Sequence, residues 1–233
     1  MPASLSRQTD GTLTLTFSLP WAQIQTNYQK QIQKAVTSAR VPGFRPGKAP
    51  RSLVEKDLDS SALYSQTLRD LFPPLYEQAL KDHGLRPLLL PQIKLTKSEP
   101  NQDWQFTAAT CEAPPFSLPD YKAAAAKIAI KDPPAKLQSV IDYLTKNTAV
   151  PVPQLLIEEE TRHRLSSLAD NLTQLGLTSA QYLQTKKLTL DQLNSQIALD
   201  STAALVLDFI LDKIASEEHL ADRTRTLDFL RTL

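Results

Sequence analysis

Cysteine is almost missing from this chain. Cys111 stands alone among 233 residues, which excludes an internal disulfide and agrees with a reducing compartment. Long apolar runs are missing as well, and none approaches the roughly 20 residues that span a bilayer. The opening Met1 Pro2 Ala3 Ser4 Leu5 Ser6 Arg7 has no secretory apolar stretch, so no membrane partner and a cytoplasmic location are expected. Aromatics make up only 6% of residues, which leaves Leu, Ile, Val and Ala to fill the core and suits helix packing. A surplus of charge is lacking too, since 26 Lys and Arg face 25 Asp and Glu for a net +1.

The residue patterns of catalysis are equally scarce. His83, His163 and His219 lie far apart and none has a second histidine at metal-ligand spacing, so no metal is expected. Cys111 follows no nucleophile motif and reads as a small strand residue. No glycine-rich loop has the spacing that cradles a nucleotide, and no cofactor is expected. Glu158, Glu159 and Glu160 are consecutive, so on a helix they point in different directions and do not form a carboxylate pair; Glu158 with Arg162 and Glu160 with Arg164 read as i,i+4 ion pairs. An enzyme has little to stand on.

Glycine is rare, five residues in all, yet two of them share one stretch, Val41 Pro42 Gly43 Phe44 Arg45 Pro46 Gly47 Lys48 Ala49 Pro50. Glycine admits positive φ, and three prolines fix their own φ and extend the residue before them, so the loop is stiff and shaped. It presents Phe44 and Arg45 where loop residues lie on the surface. Between Arg40 and Lys56, five basic residues (Arg40, Arg45, Lys48, Arg51, Lys56) face Glu55 alone. A local basic patch on a nearly neutral chain points to a phosphate-bearing partner such as nucleic acid, with an ordinary solvated connection as the alternative.

The elements around the loop predict an α+β unit. Thr12–Ser18 alternates, with Leu13, Leu15 and Phe17 on one face, and Asp10-Gly11 before it signals a hairpin with residues 3–9. Pro20 opens a helix whose Ile24, Tyr28, Ile32 and Val36 recur on one side. A short helix is expected over Arg51–Asp57 and a longer one over Ser61–His83, ended by Gly84 and bent or interrupted at Pro73-Pro74. Two strands follow, Gln92–Ser98 and Gln102–Ala113, the second carrying Trp104 and Phe106. The order describes an antiparallel sheet with packed helices, a domain over residues 1–117 that ends in a proline-rich exit.

Residues 118–233 change character and read as an all-α domain with no strand pattern. Tyr121–Lys131 is expected to be an extended connection, and Asp132-Pro133-Pro134 starts a helix with Leu137, Val140, Ile141 and Leu144 in one stripe. A long helix runs from Gln154 to Gly176 with Leu165, Leu168, Leu172 and Leu175 along it. Thr178 with Gln181 and Thr189 with Gln192 are two capping boxes, and a last helix is expected near Ser216–Leu230. Ala203–Ile214 is apolar around most of its circumference. Leu205 and Phe209 could therefore serve the helical core or line an exposed crevice.

The run Gly43 Phe44 Arg45 Pro46 Gly47 Lys48 Ala49 Pro50 resembles the Gly-Phe-Arg-x-Gly-x-x-Pro signature of trigger factor, the ribosome-associated chaperone of bacteria, at every fixed position. Val152 Pro153 Gln154 Leu155 Leu156 Ile157 Glu158 resembles, more loosely, the point where that family's chain re-enters its helical, arm-bearing C-terminal domain. The resemblance implies a tip loop that docks on ribosomal protein and RNA beside the exit tunnel of the large subunit. Gly43, Phe44, Arg45, Pro46, Gly47 and Lys48 would form the contact, and Pro46 stands where the family often has a basic residue. It also implies reversible holding of nascent or unfolded polypeptides without ATP. The family's peptidyl-prolyl isomerase domain has no room here, because Lys146–Ala149 leads straight into Val150–Pro153; no isomerase activity is therefore expected. A ribosome or RNA-binding assembly module that holds no client is the alternative. A soluble chaperone of the periplasmic helical type is disfavoured by the missing signal segment, and homodimerisation stays open.

Overall fold

The computed structural model describes residues 3–40, 42, 44–45, 50–99, 101–128, 130 and 132–233. The chain divides into two units, one comprising the N-terminus to Ser6 with Leu13–Thr110, the other Arg7–Thr12 with Cys111–Leu233.

The first unit is built on a four-stranded antiparallel sheet of β1 (Ser4–Arg7), β2 (Thr12–Leu19), β3 (Gln92–Lys97) and β4 (Trp104–Cys111), ordered β1-β2-β4-β3. Alternation on β2 works as the pattern requires: Leu13, Leu15, Phe17 and Leu19 are all buried. They meet Phe106 and Trp104 of β4, whose Phe106 stacks on Phe17 with ring centroids 5.0 Å apart. The other face of this core comes from α1 (Trp21–Ser38) and α3 (Ser60–His83), through Ile24, Phe72, Tyr76 and Ala79. Pro20 offers no side-chain cap to α1, and the Asp103 carboxylate accepts from Trp21 N at 2.9 Å instead. Gly84 ends α3 in the left-handed conformation at φ 62°.

Pro73 and Pro74 do not interrupt α3, which runs unbroken from Ser60 to His83. Two prolines remove two helical N–H donors, but the same turns carry Phe72 and Tyr76 into the core, and that packing outweighs the local loss.

The described part of the second unit beyond β4 is helical: α4 (Tyr121–Lys127), α5 (Pro133–Asn147), α6 (Gln154–Gln174), α7 (Ser179–Lys186), α8 (Leu190–Glu217) and α9 (Arg223–Thr232). Its core joins Tyr121 and Ala125 of α4, Val140 and Leu144 of α5, Ile210, Leu211 and Ile214 of α8, and Leu230 of α9. Both capping boxes are formed, Thr178 with Gln181 and Thr189 with Gln192.

Three expectations are corrected here. The segment after Tyr121 is helical rather than extended, because Asp120 caps Ala123 N at 3.0 Å and Ala123–Ala126 is a strong helix-forming run. Ser216-Glu217 belongs to the last turn of α8 rather than to a new helix, with Lys213 and Glu217 paired i,i+4. The break falls at His219, at φ 54°, and α9 starts from an Asp222 cap. Finally, Arg162 pairs with Glu159 rather than Glu158, which accepts from Gln154 at 3.1 Å, whereas Arg164 with Glu160 forms as expected at 2.6 Å.

Candidate functional site

In the first unit, α1 and α2 (Arg51–Asp57) flank the basic loop and lock together through a small apolar cluster. Ile32 and Val36 of α1 and Val54 of α2 are buried, with Tyr28, Ala39, Leu58 and Leu63 packed against them. The loop thus leaves one anchored helix and enters another. Within it, Pro42, Phe44 and Arg45 are exposed, Phe44 keeping 45% of its surface in solvent. A phenylalanine so placed lacks the burial its ring would gain elsewhere, about 25 cal/mol for each Å² removed from water. Gly43, Pro46, Gly47 and Lys48 lie outside the described residues.

The charges around the loop are not equivalent. Arg51 donates to Glu55 at 2.6 Å and also to Gln29 of α1, so it fastens α2 to α1. Arg40 and Arg45 are exposed and make no ion pair among the described residues. Asp70 of α3 accepts from buried Gln31 at 2.5 Å, from Gln66 at 3.0 Å and from Lys34 at 3.4 Å. Those bonds, Gln31's first, hold the Asp70 carboxyl below its ordinary range and tie α3 to the helix that carries the loop.

In the second unit, the two candidate client contacts differ in access. Phe209 is buried at 9% exposure and Leu205 is half-buried. Aliphatic residues exposed in this unit include Ile130 after α4, Leu175 (72%) and Leu177 after α6, and Leu190 and Leu199 of α8. Two open cavities lie between these helices, and none of the four leucines lines either of them. One of about 530 Å³ is lined by Ile157, Thr161 and Leu165 of α6 and Asn194, Ser195 and Ala198 of α8; a separate one of about 400 Å³ is lined by Leu168 of α6, Tyr182 of α7 and Leu193 and Ile197 of α8. The sequence did carry a signal for the exposed leucines, since Leu175-Gly176-Leu177 places apolar residues on either side of a helix stop, where neighbours on the same helix cannot cover them.

Several polar groups of this unit bind its elements to one another. Glu218 accepts from the Tyr121 hydroxyl at 2.8 Å and pairs with Lys122 at 2.6 Å, and these bonds, Lys122's first, lower its carboxyl. Tyr121 is pushed up by burial and then by that same carboxylate. Burial raises Asp212, helped by neighbouring Asp208, whose own partner is Arg223. In the first unit, His83 places Nε2 3.1 Å from the carbonyl of Ala3. Cys111 is buried in β4.

Comparison with known proteins bears on both units. The family model for bacterial trigger factor protein matches residues 1–144, and that for the trigger factor C-terminus matches residues 125–222, so the two matched stretches overlap. The trigger factor of Mycobacterium bovis is 33% identical over 158 residues, covering 66% of this chain and 34% of that protein. The trigger factor of Lactococcus lactis subsp. lactis is 35% identical over 122 residues, covering 52% and 29%. A solved structure of the trigger factor chaperone aligns with a TM-score of 0.42 at 18% identity, over 63% of this chain and 34% of the other. The chain spans about a third of the length of the curated relatives it matches. With more than half of its residues matched by the first of these models, the chain belongs to the bacterial trigger factor family.

Proposed function

We propose that this protein is an ATP-independent, ribosome-associated chaperone of the cytoplasm that holds nascent or unfolded chains and carries out no prolyl isomerisation. The observation that carries the reading is the exposed Phe44–Arg45 pair, set between two helices that are clamped to each other. Arg45 would take ribosomal RNA phosphate and Phe44 an apolar recess of an exit-site protein, with Gly43, Pro46, Gly47 and Lys48 shaping the tip. Residues 1–117 would dock and residues 118–233 would hold clients, using the aliphatic surface around Leu175, Leu177, Leu190 and Leu199 together with half-buried Leu205. The absence of isomerase chemistry is supported by the overlap of the two matched stretches, which leaves no intervening segment for such a domain.

Co-sedimentation with ribosomes tests the anchor. Central interface residues contribute about 2 kcal/mol or more each, so Phe44→Ala or Arg45→Ala alone should weaken binding by about 30-fold and the two together by up to about 900-fold. Unchanged binding would remove the proposed anchor. A second reading, docking without client holding, is favoured by the burial of Phe209. It would be adopted if the chain docks on ribosomes yet never delays aggregation of an unfolded client at stoichiometric amounts.

A further inference from the structure

Strand β3 ends the sheet, and all six of its residues are exposed, Ile93 and Leu95 included. Its inner edge is paired to β4: Ile93 pairs with Ala108, Leu95 with Phe106, and Lys97 with Gln105 across a register shift that leaves Thr96 as an extra residue. Among the described residues no backbone group beyond β4 bonds to its outer edge. Leu88 and Leu90, just before the strand, are exposed as well, Leu90 to 90%.

Beside the strand lies a cleft of about 340 Å³ between Leu95 and Trp104 on the sheet, Ser98 just after β3, and Tyr64 and Leu68 on α3. That is the small end of the range for ligand sites, room for an apolar side chain rather than a cofactor. Tyr64 stacks on Tyr28 at 4.3 Å and lies 5.2 Å from Trp104, so the wall of the cleft is fixed by aromatic packing.

The charges select among occupants. The strand reads Gln92-Ile93-Lys94-Leu95-Thr96-Lys97, with two exposed lysines, no acid, and no ion pair to either lysine among the described residues. Two copies joined edge to edge through β3 would gather four lysines along one ribbon, and like charges facing each other across strands repel. An acidic partner meets no such penalty.

We propose that the outer edge of β3 is a strand-addition site for an extended polypeptide that alternates apolar and acidic residues. The added strand bonds its backbone to β3, sets an apolar side chain into the cleft beside Leu95 and Trp104, and pairs its carboxylates with Lys94 and Lys97. The site lies wholly within the first unit and does not rest on ribosome docking or on the leucines of the helical unit.

The probe is a short fluorescein-labelled peptide of alternating leucine and glutamate, titrated with the whole chain and followed by anisotropy. Two twins accompany it, one with lysine for glutamate and one N-methylated on the amides of a single edge. The glutamate peptide should bind, and either change should weaken it about tenfold or more. Lys94→Glu with Lys97→Glu should reverse the preference towards the lysine peptide. Wild-type amide exchange gives a readout that needs no variant: peptide should slow exchange within residues 92–97. The proposal is overturned by absence of binding, by equal binding of the N-methylated twin, by protection confined to the helical unit, or by indifference to the lysine reversal. A concentration-dependent dimer that protects β3 without peptide would assign the edge to a second copy and overturn it equally.

Discussion

Truncating Phe106 to alanine tests whether one aromatic stack holds the sheet of the first unit to its helices. Phe106 is fully buried on β4, lies parallel to Phe17 of β2 within 10° at 5.0 Å, and meets Phe72 of α3 edge-on at 5.8 Å. Removing a buried phenylalanine costs about 3–5 kcal/mol including its cavity, and each ring pair adds about 0.5–1.5 kcal/mol beyond area. With two such pairs the loss belongs at the upper end, about 5 kcal/mol, against a domain stability of about 5–15 kcal/mol. Both tryptophans, Trp21 and Trp104, belong to this unit, so their fluorescence during urea unfolding reports on it selectively. At about 2 kcal/mol per molar urea, the midpoint should fall by about 2.5 M. Phe106→Leu, which keeps most of the volume and loses the ring pairing, should shift it by less than about 1 M. A fall below about 0.5 M for alanine would refute the reasoning, and equal falls for alanine and leucine would assign the effect to ring geometry rather than to the cavity.

Two glycines with positive φ should respond unequally to alanine. Gly84, at φ 62° with nothing within 4 Å of a built Cβ, should lose about 1 kcal/mol, whereas Gly11, at φ 90° with that Cβ 2.6 Å from the Glu112 carbonyl, should lose about 3 kcal/mol; equal thermal midpoints would deny the close approach at Gly11. Thr189→Ala removes the Oγ1 acceptor of Gln192 N from the start of α8 and should destabilise the chain by about 1 kcal/mol, with faster amide exchange at Asp191 and Gln192 and little change for Thr189→Ser. The Cys111 thiol is pushed up to about 11, by burial first and by the Asp10 carboxylate second, so the folded chain keeps a proton that the unfolded chain releases near pH 8.5. Its contribution is therefore complete below about pH 8.5 and lost as pH rises towards about 11; Cys111→Ala should flatten that part of the urea midpoint profile, and identical slopes would sink the assignment.

What was legible in the sequence was what local chemistry decides. The four-residue recurrence of Ile24, Tyr28, Ile32 and Val36, the Asp10-Gly11 turn and the two capping boxes each form from residues within a few positions of one another. Failures came where a distant or competing partner decides. Asp120 and the alanine run won a helix from a stretch otherwise read as extended, and the core contacts of Phe72 and Tyr76 carried α3 through two prolines. The same limit divides the candidate sites. Exposure of Phe44 follows from its loop, but burial of Phe209 depends on which helices surround α8, and exposure of β3 depends on its place at the end of the sheet order. Alternation of Ile93 and Leu95 predicts an apolar face and says nothing of whether a neighbour covers it.

The engagement of Arg51 changes the expected character of the proposed ribosome docking. Counted by sequence, five basic residues near the loop suggest attraction by a broad field, yet Arg51 is held by Glu55 and Gln29, and the Glu55 carboxylate offsets its charge. At most four cations remain, Arg40, Arg45, Lys48 and Lys56. Each neutralised phosphate contributes about −0.7 to −0.9 to the slope of log K against log salt, so anchoring by two to four of them gives a slope between about −1.5 and −3.5. A slope near zero would eliminate phosphate anchoring and leave Phe44 as the whole contact. One steeper than about −4 would require basic surface outside the loop. A shallow, nonzero slope makes the association weak enough to reverse and places its specificity in the shape around Phe44 and Arg45, because counterion release alone does not distinguish one stretch of ribosomal RNA from another.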